Sequence, residues 1–152
     1  MDFETFKKVI AKTKTEKPLL FELEHDNIPT MEEVITFQKQ YQIVLPEKYI
    51  QFLLNFGGGY FGYANIYSLD KNSDFFISNH NPVIVKDFLF VADNGCGDNY
   101  AFRIQGSKCN EEIVFCDHED NSVHDTGFSD ILEYLTKIGL KQRIPNDSPP
   151  SS

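Results

Sequence analysis

Apolar residues recur at helical spacing along the first third of the chain and predict three helices, over residues 2–14, 31–41 and 46–56. The second of these helices has the clearest start. Thr30 can cap it by accepting a backbone N–H, and Glu33 can reach back to the backbone of Thr30. Three consecutive glycines follow the third helix and are expected to end it, because glycine readily takes the left-handed conformation.

After the glycines the apolar pattern changes to alternation, which predicts strands at residues 60–67, 83–91, 99–104, 112–116 and 121–124. A shorter alternation predicts one more strand or an extended connector at residues 21–23. The last helix is expected over residues 129–138, with Ser129 as its N-cap and Gly139 as its C-cap. Because the strands follow one another without intervening helices, they should pair mainly antiparallel.

The order of these elements predicts an α+β fold, with a mainly antiparallel sheet of about five to six strands packed against the N-terminal helices and the C-terminal helix. One domain is expected over residues 1–143, followed by a flexible tail at 144–152 that lacks apolar periodicity. No apolar run approaches the roughly 20 residues of a membrane span. The amino terminus also lacks a signal-peptide pattern, so a cytoplasmic location is expected.

Charge changes this picture, because it is concentrated in the middle of the chain. The 152 residues have a net charge of −9, and residues 70–130 hold twelve acids and four bases, a net of −8. Such a segment disfavours direct contact with nucleic acid or an anionic membrane and favours contact with a basic protein. The alternative is that the acidity serves only solubility.

Motifs of known chemistry are mostly absent, and no catalytic residue, cofactor or metal is expected. The three cysteines form no Cys-x-x-Cys pair, which disfavours a disulfide framework or a zinc ribbon. The segment 117–125 contains His118 and His124, but it matches no known zinc spacing and is interpreted as an exposed acidic turn. Convergence of Asp93, Asp98 and Asp117 for acid–base work remains an alternative.

Several segments together resemble the SUKH superfamily, the relatives of the yeast cell-wall regulators of the Smi/Knr type. In residues 43–58, Leu45-Pro46, Tyr49 and Phe52-Leu53 match the family hallmark, whereas the glycine turn departs by one inserted Phe56. Residues 92–102 are similar to the family's glycine–aspartate turn, 114–119 to its strand ending in Asp-His, and 128–135 to its final helix. The resemblance covers about residues 30–138.

This resemblance implies a curved sheet and a protein that is not an enzyme. Many bacterial members are immunity proteins that neutralise secreted polymorphic toxins, so the expected function is binding a cognate toxin, a basic nuclease domain of an LXG-type system. The alternative is an intracellular regulatory scaffold of the Smi/Knr type. The acidic residues on predicted turns and strand ends are the candidate partner-binding residues: Asp93, Asp98, Asp117, Glu119, Asp120 and Asp125.

Overall fold

A computed structural model describes residues 1–145 and contains four α-helices and six strands. The helices are α1 (Phe3–Glu16), α2 (Met31–Tyr41), α3 (Glu47–Phe56) and α4 (Ile131–Tyr134), and α4 continues into a π-helical turn at Leu135–Gly139. Short 3₁₀ helices occur at Pro18–Phe21 and Ile77–Asn79. The strands are β1 (Gly59–Phe61), β2 (Ala64–Ile66), β3 (Phe88–Asp93), β4 (Asn99–Gln105), β5 (Lys108–Cys116) and β6 (Val123–Asp125).

All six strands form one sheet in the order of the sequence, and every neighbouring pair is antiparallel. The register shifts between Phe90 and Ala92 in β3 and between Phe102 and Ile104 in β4. Such irregularities bend a sheet and increase its twist, and this sheet curls into a half-barrel. The predicted α+β fold, with an antiparallel sheet and helices packed against it, is confirmed.

The core lies between the helices and one face of the sheet. The Phe6 ring on α1 stacks on the Phe61 ring on β1 with centroids 5.8 Å apart, and the Phe52 ring on α3 meets Phe61 edge-on at 5.2 Å. Tyr49 is fully buried and donates its hydroxyl to the Tyr67 carbonyl at 2.6 Å, which satisfies a buried polar group. The apolar stripes of the predicted helices therefore face the sheet.

The start of α2 and the end of α3 occur where the sequence predicts them. The Glu33 N–H donates to the Thr30 hydroxyl at 3.1 Å, and the Thr30 N–H donates to the Glu33 carboxylate at 3.2 Å, which completes the capping box. Gly57 ends α3 with φ of 81°, and a Cβ at this position would collide with the Asp26 carbonyl. Only glycine fits this close approach without strain.

Three predicted strands differ in kind from the structure, and β5 begins at Lys108 instead of residue 112. Residues 60–67 form the β1–β2 hairpin instead of one strand, because Gly62 (φ of 59°) turns the chain. Residues 83–87 are irregular, and β3 begins only at Phe88. Residues 21–23 form no strand, since Phe21 ends a 3₁₀ helix and residues 22 and 23 follow it irregularly. The alternating pattern is present in each segment, but two of them lack a paired neighbour.

The predicted cap of the last helix is wrong by one residue. Asp130 rather than Ser129 is the N-cap, and its carboxylate accepts the Glu133 N–H at 2.9 Å. Gly139 is not a left-handed C-cap but lies within the π-helical turn, where its carbonyl accepts the Tyr63 N–H at 2.8 Å. Both differences come from contacts with residues that are distant in sequence.

The C-terminal boundary falls close to the end of the described residues. Ile144, which the sequence analysis assigns to the tail, is buried. Residues 146–152 of the predicted tail lie outside the described residues. Within residues 1–145, no helix has both the length and the apolar character needed to span a bilayer.

Candidate functional site

The face of the sheet opposite the main core is formed by strands β3 to β6. Directly paired residues share a face, and alternate residues of a strand do so as well. The register therefore places one set of side chains together on this surface, which we call the open face: Phe88, Phe90, Asp93, Asn99, Ala101, Arg103, Val114, Cys116, Val123 and Asp125. Leu89, Phe102 and Ile113 lie on the other face and belong to the main core.

Two turns close one end of the open face. The β3–β4 turn comprises residues 94–98, and the β5–β6 turn comprises residues 117–122. Because consecutive strands run antiparallel, these two turns lie at the same end, whereas the β4–β5 turn lies at the opposite end. Both turns are acidic, so we call Asp93 together with the two turns the acidic end.

Several carboxylates of the acidic end hold their own turns in place. Asp93 Oδ1 accepts the Gly95 N–H at 2.9 Å and the Asn65 side-chain amide at 3.1 Å. Asp117 Oδ1 accepts the Glu119 N–H at 2.8 Å. Local hydrogen bonds of this kind are typical of aspartate-rich turns.

Asp120 fixes the rest of the second turn. Its Oδ1 accepts the N–H of Ser122 at 2.9 Å and the Ser122 hydroxyl at 2.6 Å. These bonds, led by that of the hydroxyl, lower the pKa of Asp120. Asp120 therefore remains ionised near neutral pH.

His118 and Asp98 join the two turns. The His118 Nδ1–H donates to Asp98 Oδ1 at 2.5 Å, and the same oxygen accepts the His118 backbone N–H at 3.0 Å. The backbone hydrogen bond from His118 is the main cause that lowers the pKa of Asp98 to about 2. Conversely, the hydrogen bond to Asp98 raises the pKa of His118 above its ordinary 6.5.

This pair gives a prediction that can be measured by NMR. The His118 ring is expected to titrate above pH 6.5 in the wild type, and Asp98→Asn should return its pKa to the ordinary range because the charged acceptor is lost. Since the folded-state pKa is raised, the pair stabilises the fold fully below about pH 6.5, and this contribution is lost as pH rises through the raised value. Glu119→Gln is the control for charge alone, because the Glu119 carboxylate raises the pKa of His118 without a hydrogen bond to the ring, and it should lower that pKa less than Asp98→Asn does. An equal shift in both variants would contradict the assignment.

The six predicted partner-binding residues lie in one region of the sheet, but only some of their carboxylates form hydrogen bonds. Asp93, Asp98, Asp117 and Asp120 are engaged in the hydrogen bonds above. Glu119 and Asp125 are exposed, and their carboxylates take part in none of the ion pairs or hydrogen bonds found between described residues. Asp125 lies on the edge strand β6, two residues or about 7 Å from Val123.

The bases of the segment 70–130 lie away from the acidic end. Lys71 lines a cavity beside α2, and Lys86 precedes β3. Arg103 lies over the Phe88 ring at 5.2 Å, and Lys108 lies at the β4–β5 turn. In the part of the chain that the structure describes, none of these four bases forms an ion pair with the carboxylates of the acidic end.

Two further features adjoin the acidic end and were not singled out from the sequence. The His80 ring stacks on Tyr67 with centroids 3.9 Å apart, and Tyr67 donates its hydroxyl to Asn99 at 2.6 Å. On the open face, a groove of about 310 Å³ lies between Phe88, Phe90, Cys116 and Val123, and it is also lined by Asn99, Asn121, Asp117 and His118. Residues 88–91 (Phe-Leu-Phe-Val) are apolar on both faces of the strand. This lack of alternation could have predicted from the sequence that the open face also has apolar contacts.

Three side chains that could ligate a metal ion lie close together at the acidic end. Ligand atoms of Asp98, Asp117 and His118 lie within 4.8 Å of one another, while His124 Nε2 lies 2.8 Å from the Ser122 hydroxyl instead. Asp93 stays with Asn65, so it is not part of that cluster. Burial raises the pKa of Cys109 to about 12, and therefore its thiol is a poor nucleophile.

The fold and the site define a small α+β domain that presents an acidic, partly apolar protein surface. The chain matches the family SUKH_6, described as SMI1-KNR4 cell-wall, over residues 31–135, and it belongs to this family. The match runs from the start of α2 into the turn after α4 and includes the whole sheet. No curated protein and no solved structure matches the chain.

The resemblance to the SUKH superfamily is thereby confirmed. Membership fits a protein of the immunity or Smi/Knr type, and members of the family are in general non-enzymatic immunity proteins. The family implies a role in binding another protein.

Proposed function

We propose that this protein is a cytoplasmic immunity protein that binds a cognate secreted polymorphic toxin and neutralises it. The proposed toxin is a basic nuclease domain of an LXG-type system, and the proposed contact surface is the acidic end with Asp125. The expectation that the protein needs no cofactor or metal stays part of this proposal. Support comes from the family, whose members are in general immunity proteins.

The observation that carries the proposal is the position of the charge. Asp93, Asp98, Asp117, Glu119 and Asp120 gather at one end of one sheet face, and the bases of the same segment lie elsewhere. A nuclease must carry a positive surface, because it has to hold a phosphate backbone. An acidic surface of this kind can occupy that positive surface in place of nucleic acid.

Inhibition then requires binding alone. A stoichiometric complex that covers the substrate groove blocks the nuclease without any reaction at the acidic end. Opposite charges also accelerate the encounter of the two proteins, which matters for a protein that must act before the toxin does.

The proposal expects a gene next to this one to encode the toxin, and the test is co-expression with the toxin domain of that gene. Cells that produce both proteins are expected to grow, cells that produce the toxin alone to die, and the two proteins to elute together from a sizing column. An unrelated acidic protein of similar size serves as the control for non-specific charge effects. Death in the presence of this protein, with no complex on the column, would overturn the proposed function for that toxin.

A further inference from the structure

We propose that the groove between Phe88, Phe90, Cys116 and Val123 receives an apolar side chain from a basic segment of the toxin. This inference rests on the proposed function and deepens it. The groove would determine how slowly the complex dissociates, and the acidic end would determine how fast it forms. The partner segment would carry an aliphatic or aromatic residue next to lysine or arginine.

The groove is built on the open face at a point where apolar side chains are left uncovered. Phe88 and Phe90 are half-buried, and Val123 on the edge strand remains 37% exposed. Asn99 and Asn121 also line the groove. The three apolar side chains give an incoming side chain a preformed contact surface.

The rim of the groove determines the chemistry of its occupant. Asp117 and His118 line it directly, and Asp98 accepts a hydrogen bond from His118. On the β6 side, Asp125 lies on the same face as Val123. A segment that placed an apolar residue in the groove would bring its neighbouring residues against these carboxylates, so lysine or arginine is favoured there.

Two other occupants fit the observations less well. A second copy of this chain would bring two acidic ends together, and with a net charge of −9 such a contact is repulsive. A small molecule has little room, since about 310 Å³ is at the low end of the range of about 300–1,000 Å³ for ligand pockets. One or two side chains of a partner protein fill such a space.

The two parts of the surface should act on different rate constants. Exposed charges act over a distance and mainly change the association rate, whereas a desolvated apolar contact forms late and mainly changes the dissociation rate. Contacts at the centre of an interface, in well-packed pockets, also carry most of the binding energy. The groove adjoins the acidic end, since Asp117 and His118 line both.

The experiment measures both rate constants for the toxin domain encoded by the neighbouring gene, by surface plasmon resonance. Val123→Ser and Phe88→Ala are expected to raise the dissociation rate by about tenfold or more and to change the association rate less than about twofold. Val44→Ser is the matched control, because Val44 is 48% exposed and lies next to the β4–β5 turn at the opposite end of the sheet. It should change neither rate. Thermal unfolding of each variant checks that the fold is retained.

The possible results separate the two proposals. An unchanged dissociation rate in both groove variants, with wild-type binding intact, overturns the groove and leaves the proposed function standing. Failure of the wild type to bind the toxin domain overturns both. A concentration-dependent dimer of the free protein that Val123→Ser dissolves would show that a second copy occupies the groove, and it would overturn this inference alone.

Discussion

Replacing Asp130 with alanine is expected to lower the free energy of unfolding by about 3–5 kcal/mol. Asp130 is only 1% exposed, and its Oδ2 lies 2.8 Å from both Lys48 Nζ and the amino group of Met1. Its other oxygen caps α4 by accepting the Glu133 N–H. Alanine would leave two cations without their anion: Lys48, which is 32% exposed, and the buried amino group of Met1. Removing one partner of a buried ion pair destabilises the fold strongly, because the other charge stays buried and unpaired.

Ser129→Ala is the matched control for this loss, since Ser129 is the neighbouring residue that the sequence predicts as the cap. Its side chain is exposed, and the structure uses only its backbone N–H, which donates to Glu133 at 2.9 Å. Urea denaturation should show a change within about 0.5 kcal/mol for Ser129→Ala. Equal losses in the two variants would contradict the assignment of the cap to Asp130.

The same residue gives the stability an acid dependence. Burial opposes ionisation of Asp130, but hydrogen bonds from Lys48 and from the amino group of Met1 outweigh it, so the pKa of Asp130 is lowered. Its stabilising contribution is therefore fully present above the unfolded pKa of about 3.8 and is lost as pH falls through the lowered folded value. Asp130→Ala should lack this part of the acid unfolding profile.

Local signals in the sequence were sufficient for α2 and α3. The capping box of Thr30 and Glu33 spans four residues, and Gly57 directly follows the last residue of α3, so the sequence of each helix end is enough to predict it. The buried stripe of α3 follows from its spacing alone, since Tyr49, Phe52 and Leu53 are all fully buried.

Non-local contacts explain what the sequence could not predict. The strand expected from residue 83 begins only at Phe88, and Asn81 takes the place of a paired strand by accepting the Phe90 N–H at 2.8 Å and donating to its carbonyl at 3.0 Å. Likewise, Asp130 becomes the cap because Lys48 and the amino group of Met1, distant in sequence, meet it. The apolar pattern within one segment cannot predict contacts with residues that are distant in sequence.

The sequence could predict that acidic residues gather at one end of the sheet, but it could not predict which of them form hydrogen bonds within the turns. Acidic residues next to glycine and asparagine predict exposed turns, and antiparallel pairing predicts that alternate turns share an end of the sheet. The sequence could not show that Asp98 holds His118 or that Asp120 holds Ser122. These contacts decide which carboxylates can be replaced without disturbing the turns.

Reversing the charge of Glu119 and Asp125 together is expected to slow association with the toxin domain encoded by the neighbouring gene by about tenfold or more at low ionic strength. These two carboxylates are exposed and hold no turn, so Glu119→Lys/Asp125→Lys changes the field of the acidic end while leaving the hydrogen bonds of Asp98, Asp117 and Asp120 in place. The double variant should consequently protect co-expressing cells less well than the wild type.

Salt provides the second measurement of this effect. At an ionic strength of about 0.15 M the screening length is about 8 Å, and at about 1 M it is about 3 Å, so the association rates of wild type and variant should converge as salt is added. The dissociation rates should differ much less, because exposed rim charges act mainly on the encounter.

Glu22→Lys/Glu24→Lys is the matched control for net charge. It makes the same change of four charge units at two exposed residues beside β1, at the other edge of the sheet. If position matters, this control should associate much faster than Glu119→Lys/Asp125→Lys, even though both proteins have the same net charge. Equal slowing of association by both variants would show that overall charge alone governs the encounter. Equal protection of co-expressing cells by the wild type and by Glu119→Lys/Asp125→Lys would show that the acidic end has no part in protection.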